Sequence, residues 1–476
     1  MNDCILLRYG ELGLKSKRTR PRLEKNYLRI IKDALKRTGF DDFRIDNFGG
    51  RFVLFIADAD KTIDVLKRVP GIQSLSPAQT INFSDENDLI SKANKLVKNV
   101  IVGKTFYIKA KRIGKHKFSS MDITKKLGSK LFNKSKGVDA TNPEVKIFLE
   151  IRDEKCFLFT KTYTGVGGLP LDTVNKVLCL FSGGIDSPVA AVKMLKRGCK
   201  VDFLFVNLVG EKLLRDVSKI YNFLITNYSF GYSPKIFIVD GKALVNKIKK
   251  DVPDSIRQIA YKIALYKIGE LISKKNDYLC LVGGESLSQK SSQTLKSLLF
   301  IEKQADISML RPLLTFDKIQ ITVIAKNIGT LSMSEKIKEY CGLSDGPVTT
   351  APDEKCLKKI PSFEKEIDFA VTNMNVIKGL ILLDTSEKTD IPKINNVIGV
   401  DIRSEIIQKK IPLKTDKQIP YSEVIDRLDE FSKEKSYVLI CEFGVRGEDI
   451  ASELRSKGIK AAGVDMEDYV KYFLKK

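Results

Sequence analysis

The strand-like run VLCLF (177–181), followed by Ser182-Gly183-Gly184-Ile185-Asp186-Ser187 and the helical PVAAVKMLKRG, constrains this chain more than any other segment. Five apolar residues in succession predict a strand buried on both faces, as in parallel sheets covered by helices. Two glycines let the following turn approach a ligand closely. Its serines and amides sit at a helix start, where anions bind. Pro188 suits the first helical turn, where a missing N–H costs little. The turn lacks the GxxxxGK[ST] pattern of a Walker loop. Downstream, VDFLFVNLV, KIFIVD and DYLCLVGG alternate with helical patterns. Residues 169–383 are therefore expected to form a parallel-sheet α/β domain.

A chain of 476 residues with 43% hydrophobic content exceeds one core and predicts several domains. Residues 1–60 alternate strands with one amphipathic helix, whose apolar face is Leu23, Tyr27, Ile30, Ile31, Ala34 and Leu35. Residues 61–168 form a second α/β module. The run GLILLD reads as a strand, a polar linker falls at 384–393, and 394–476 make a fourth, small α/β unit. No apolar run is long enough to span a membrane, and the N-terminus lacks a signal-peptide core, so a cytoplasmic location is expected. Eight scattered cysteines without a CxxC disfavour a disulfide framework or a zinc site. With His116 as the single histidine, a Ser-His-Asp or multi-histidine metal mechanism is disfavoured. No protein metal site is expected, and chemistry falls to carboxylates, lysines, thiols or bound phosphates.

The net charge of +23, from 82 basic and 59 acidic residues, favours a polyanionic partner. Basic residues concentrate between Arg8 and Arg37 and again over 101–136. In the second stretch, Lys109, Lys111 and Arg112 on a predicted strand, then Lys115, Lys117, Lys125 and Lys126 into a helix, suggest a phosphate-tracking surface. Few aromatics interleave there, which fits recognition of folded RNA by shape and backbone.

Near the C-terminus, Cys441-Glu442-Phe443-Gly444-Val445-Arg446-Gly447 follows the apolar strand YVLI and precedes a helix. Backbone amides and a helix N-terminus favour a thiolate, and would equally cradle a persulfide anion.

The strand-SGGIDS-helix order resembles the PP-loop of ATP pyrophosphatases, and C-x4-R-G resembles the active loop of rhodanese domains. With LRYGELGLKSK, TGVGGLP, GGESLSQKSSQTL, LRPLLTFDK and EYCGL in one order, the chain is similar to the ThiI family of tRNA 4-thiouridine synthases. The resemblance implies a multidomain α/β protein: a ferredoxin-like N-terminal domain, a THUMP domain, a PP-loop adenylation domain and a rhodanese-like domain. It implies ATP contacts from Leu180, Phe181, Ser182, Gly183, Gly184, Asp186, Ser187, Phe205, Val206, Lys262, Gly284 and Gln293. Asp186 would organise Mg-ATP, with Mg²⁺ held by the carboxylate and triphosphate oxygens. Lys318 would support adenylation. Cys441 would carry a persulfide in a loop with Gly444, Arg446 and Gly447. Cys341 would form a disulfide with Cys441 as sulfur leaves, and an iron-sulfur cluster is not expected. The implied partners are tRNA, a cysteine desulfurase, a reductant and a second copy in a homodimer. A rival role is sulfur delivery to a carrier protein for thiamine thiazole synthesis, alone or in addition.

Overall fold

The computed structural model describes residues 3–48, 50–57, 59–208, 211–337, 343–344, 348–381, 397–441 and 445–474. The chain divides into two compact units, Met1–Pro170 and Leu171–Lys476.

The first unit is built on one sheet. Its strands are β1 (Cys4–Tyr9), β2 (Arg44–Asn47), β3 (Phe52–Phe55), β4 (Ile72–Asn82), β5 (Thr105–Ile113), β6 (Gly137–Val138), β7 (Val145–Arg152), β8 (Lys155–Phe159) and β9 (Tyr163–Thr164). Their order is β2-β3-β1-β4-β8-β7-β5-β6, with β9 also on β4. Helix α1 (Arg20–Arg37) buries Leu23, Tyr27, Ile30, Ile31, Ala34 and Leu35, the six residues its 3.6 periodicity selects. The short α2 (Ile63–Leu66) follows. Helices α3 (Glu86–Val97) and α4 (Ser120–Phe132) cover one face of the second module, packing Leu89, Ala93, Ile123 and Leu127 on Phe106, Ile108, Ile147 and Leu149. A capping box between Ser119 and Asp122 starts α4.

The sheet does not divide at 60/61, where the alternation of strands and helices suggested a boundary between modules. β4 pairs antiparallel with β1 over Ile72–Ala78 and with β8 over Gln79–Asn82, so one strand serves both modules. Strand pairing is non-local, and alternation along β4 carries no record of its neighbours. Glu150 of β7 adds a buried joint, accepting from Arg152 Nη2 at 2.7 Å and Arg51 Nε at 3.2 Å, with Arg8 at 3.7 Å.

The second unit opens with the expected sheet, parallel except for its last strand. Its strands are β10 (Lys176–Leu180), β11 (Lys200–Asn207), β12 (Lys235–Asp240), β13 (Cys280–Val282), β14 (Ser308–Leu310) and β15 (Asn375–Lys378), in the order β14-β13-β10-β11-β12-β15. The chain moves outward from β10 to β12 and then returns to place β13 on the other side of β10. The crevice between β10 and β13 is thus a topological switch point, where open parallel sheets bind ligands. Helices α5 (Asp186–Lys196), α6 (Glu211–Tyr228), α7 (Lys242–Asp251), α8 (Arg257–Asn276), α9 (Leu295–Glu302), α10 (Lys318–Ile328), α11 (Leu331–Ser334), α12 (Glu354–Leu357) and α13 (Glu364–Thr372) complete this part. Around α8 the buried residues include Ile259, Ala260, Ile263, Tyr266, Ile268 and Ile272, as expected of an interior helix.

The strand expected at GLILLD lies earlier, at β15, antiparallel to β12. Gly379, at φ +85°, ends it, and the Asn222 side chain then holds both backbone groups of Ile381. The expected linker at 384–393 lies outside the described residues.

The C-terminal module has β16 (Val397–Asp401), β17 (Lys417–Gln418), β18 (Ser436–Cys441) and β19 (Lys460–Asp465), all parallel, in the order β17-β16-β18-β19. Helices α14 (Glu405–Lys410), α15 (Tyr421–Val424), α16 (Val445–Ser456) and α17 (Met466–Tyr469) surround it. The fully buried Arg403 makes a bidentate pair with Asp401, at 2.9 and 2.7 Å, and also donates to the carbonyl of Ile411. Among the described residues, no helix is long and apolar enough to cross a membrane.

Candidate active site

At the C-terminal ends of β10, β11 and β13 a cavity of about 570 Å³ opens. The ends of β10 and β11 give it apolar walls, from Leu180, Phe181, Phe205 and Val206. Ser182, Gly184, Asp186 and Ser187 form the turn into α5. Lys262 comes from α8, and Gly284 and Gln293 from the segment after β13. Of the twelve nucleotide-contact residues expected from sequence, eleven line this one cavity.

The twelfth, Gly183, serves the turn itself. Its φ is +75°, and a Cβ there would lie 2.7 Å from side-chain atoms of both Val217 and Ile337. Any larger residue would strain the backbone and displace α6. The two serines order the loop: Ser187 Oγ accepts the Ser182 amide at 3.1 Å, and Ser182 Oγ accepts the Gly184 amide at 3.4 Å. Gly284 is also a packing glycine. A Cβ there would lie 3.0 Å from the backbone joining Asp186 to Ser187, so its absence lets the β13 segment close on the start of α5.

Lys318 is positioned by helix capping. Asp317 accepts the Gln320 amide at 2.7 Å, and Gln320 Oε1 accepts the Asp317 amide at 3.0 Å. This capping box begins α10 at Lys318, whose ammonium stands 2.8 Å from Asp186 Oδ1.

Sequence reasoning missed Glu285. It is 2% exposed and lies against Lys262, with Nζ 3.0 Å from Oε1. Tyr266 donates to the same oxygen at 3.3 Å, and Arg311 reaches Tyr266 from behind. Burial pushes the Glu285 carboxyl up, but attraction to Lys262, their hydrogen bond and Arg311 outweigh it, leaving the group below its ordinary value. Burial likewise pushes Lys262 down, and Glu285 with Tyr266 more than reverses this. Both partners are therefore held charged. Glu285 sits inside the GGESLSQKSSQ run, and the signal that could have found it is an acid next to two glycines at a strand end. The same run places Lys290, Ser291 and Ser292 on the cavity wall.

Cys441 ends β18. Its Sγ accepts the Gly447 amide, from the first turn of α16, at 3.4 Å. A Cβ on Gly447 would lie 2.4 Å from the carbonyl oxygen of Leu439, so glycine is what allows α16 to seat against the sheet. Cys441 is itself buried, at 2% exposed, and packs in the core of the C-terminal module, but its sulfur accepts an amide where other thiols donate. Cys4 and Cys179 donate to carbonyls, and burial pushes Cys4 up to about 12 and Cys199 up to about 11. They are core residues with little thiolate. Gly444 and Cys341 lie outside the described residues, as does the side chain of Arg446. Among the described residues no group of three or more His, Cys, Asp or Glu could hold a metal ion.

The expected basic surface divides between two faces. Residues Phe106 and Ile108 of β5 face α3 and α4, so Lys109 and Lys111 project from the opposite face and are exposed. Arg112 turns back, with Nη1 3.3 Å from the Gly114 carbonyl. Lys115 and Lys117 are exposed in the loop before α4. Lys125 and Lys126 are exposed on α4, and Lys126 pairs with Glu86 at 2.6 Å.

A parallel sheet with a Gly-rich phosphate turn at its switch point, preceded by a strongly basic α/β unit, defines a nucleotide-using enzyme of the PP-loop class that handles nucleic acid. Family models agree: the ThiI ferredoxin-like domain matches residues 4–76, the THUMP domain 83–161, and the thiamine biosynthesis protein (ThiI) model 172–365. A tRNA sulfurtransferase of Pyrobaculum aerophilum is 33% identical over 469 residues, 96% of each chain. A probable tRNA sulfurtransferase of Saccharolobus solfataricus is 37% identical over 369 residues, 78% of this chain and 98% of that one. A solved 4-thiouridine synthetase–RNA complex with bound ATP superposes with a TM-score of 0.69 at 29% identity, covering 79% of this chain and 99% of that one. The chain belongs to the tRNA sulfurtransferase (ThiI) family.

Proposed function

We propose that this chain uses ATP to adenylate a uridine of tRNA, position eight by family resemblance, and then replaces the activated oxygen with sulfur to give 4-thiouridine. The observation that carries this reading is the gathering of eleven separately expected nucleotide contacts into one switch-point cavity. ATP would lie with its base against Leu180, Phe181, Phe205 and Val206 and its phosphates over Ser182, Gly184 and Ser187. Lys262, fixed by Glu285, leaves donors for phosphate oxygens. The site residues suit Mg²⁺ carried in by the nucleotide: Glu285 is committed to Lys262, whereas Asp186, paired with Lys318 through Oδ1, would offer its other carboxylate oxygen beside the triphosphate. The ion would neutralise phosphate charge.

In the first step the uridine O4 attacks the α-phosphorus and pyrophosphate leaves. Lys318, beside Asp186, stabilises the charge developing there. Adenylation matters because AMP departs readily from C4 where oxide does not. In the second step the terminal sulfur of a Cys441 persulfide attacks C4 and AMP leaves. Cys341 as thiolate then attacks the Cys441 sulfur and frees the 4-thiouridine. A Cys341–Cys441 disulfide remains, and a two-electron reductant restores both thiols. The Gly447 amide on Cys441 Sγ supports the carrier role. Ile337 and Ser344, which flank Cys341 in sequence, both line the cavity, and this supports its role at the adenylated base. A cysteine desulfurase loads Cys441, and the functional particle is a homodimer.

The experiment is nucleoside mass spectrometry of unmodified tRNA incubated with protein, Mg-ATP, cysteine and a desulfurase, for wild type and Cys441→Ser. We expect 4-thiouridine from wild type alone. A fully active Cys441→Ser would remove the carrier role. Tight tRNA binding and a loadable Cys441 without thiouridine would favour sulfur delivery to a thiamine-pathway carrier, the reading that the description of the 172–365 family model favours.

A further inference from the structure

The end of the C-terminal module that holds Cys441 abuts the PP-loop part of the same compact unit. In register across β18 and β19, Cys441 sits opposite Asp465. Asp465 Oδ1 accepts the Asp468 amide at 2.8 Å, which starts α17 and fixes the carboxylate. Its other oxygen lies 3.9 Å from Lys219 Nζ on α6. Asp468 joins the cluster. Burial, and then Asp465, push its carboxyl above the ordinary value, and Lys219, Lys471 and Arg215 offset this only in part. Arg215 and Lys219 are one helical turn apart on α6 and so share a face. Between them, Val217 points inward and meets the phosphate turn, as the space above Gly183 shows. Helix α11, which leads to the cavity-lining Ile337, packs against both α6 and α16.

From this we infer that α6 and α11 are the docking platform for the sulfur-carrying module, and that Lys219 against Asp465 sets its orientation. One helix thus touches the phosphate turn with one face and the carrier with the other. The inference rests on the proposed carrier role of Cys441. Such charge pairs contribute little net stability when partly exposed, but they fix register and exclude wrong orientations. Lys219 is a positioning residue and touches no reacting atom.

The test compares single-turnover thiolation of tRNA by full-length enzyme with Mg-ATP, using a preloaded Cys441 persulfide or inorganic sulfide as the sulfur source. Lys219→Glu, placing a third carboxylate beside two others, is expected to slow the persulfide reaction by about tenfold or more. The sulfide reaction and the loading of Cys441 should stay at wild-type levels, and Lys219→Arg should restore the persulfide rate. Raising salt should slow persulfide transfer in wild type more than in Lys219→Glu. A persulfide rate for Lys219→Glu within about twofold of wild type overturns the docking role. So does an equal loss with both sulfur sources, which would place the damage in the adenylation site. A Cys441→Ser enzyme still active from desulfurase-derived sulfur overturns the carrier role itself, an outcome separate from any result at Lys219.

Discussion

The Lys318 ammonium lies 2.8 Å from the Asp186 carboxylate, joining the first residues of two helices that are 132 positions apart in sequence. Each is held in place independently, Lys318 by the Asp317–Gln320 capping box and Asp186 by the turn packed under Gly284. In the proposed adenylation, charge developing on the α-phosphate would then meet a cation already placed beside Asp186.

Replacing Lys318 with alanine is therefore expected to lower tRNA-dependent pyrophosphate release by about 10²-fold or more, with ATP affinity changed far less. Stopped-flow pyrophosphate detection beside equilibrium nucleotide binding separates the two. A release rate within about threefold of wild type would remove Lys318 from the chemistry.

Local patterns carried much of this architecture. The α1 face, the apolar strands of the second unit and the Gly-rich turn are each set by neighbours in sequence, and each is found where periodicity or composition puts it. What could not be read locally is pairing across the chain. β4 reads as an ordinary strand, yet it bridges two modules. Glu285 reads as a polar residue in a loop, yet it is buried because Lys262 and Tyr266, from the preceding helix α8, close over it. The split basic surface was within reach. Lys109 and Lys111 are two apart and Arg112 is out of phase, which the strand period alone implies.

The Lys262–Glu285 pair sets a second expectation. Glu285→Gln leaves a mostly enclosed ammonium without its counter-ion. Lys262 keeps 26% of its side chain open to the cavity, so a cost of about 2 kcal/mol is expected, at the low end for such pairs. The depressed carboxyl contributes stability above its ordinary value of 4.5, lost as pH falls through the lower folded value. The raised ammonium contributes below its ordinary 10.5, lost as pH rises through the higher folded value. The difference in Tm between wild type and Glu285→Gln should therefore be flat from about pH 5 to about pH 9 and shrink below about pH 4. Calorimetry across that range decides it, and a difference varying steadily between pH 5 and 8 contradicts a pair held fully charged.

Beside Cys441, Gly447→Ala would push a methyl into the Leu439 carbonyl and draw α16 off the sheet. The Gly447 amide would then leave Cys441 Sγ, slowing the reaction of this thiol with a disulfide probe. Overpacking of this kind costs about 1–3 kcal/mol, so the C-terminal module should melt earlier while pyrophosphate release stays near wild type. Unchanged probe kinetics at Cys441 would mean that the amide contact has no part in activating the thiol.

The RNA surface can be assigned to a face by salt dependence. Lys109 and Lys111 extend from the sheet side away from α3 and α4, whereas Lys126 on α4 is already paired with Glu86. The sheet-side pair is thus expected to be the better phosphate contact, since it need not first give up a carboxylate. Lys109→Ala with Lys111→Ala should weaken tRNA binding and make the plot of log K against log salt shallower by about 1.5, one counterion per phosphate contact. Lys125→Ala with Lys126→Ala should change that slope by less than about 0.7. The reverse ranking would place the RNA on the helical face of the module, and then the exposed lysines of β5 would be solvated charge alone.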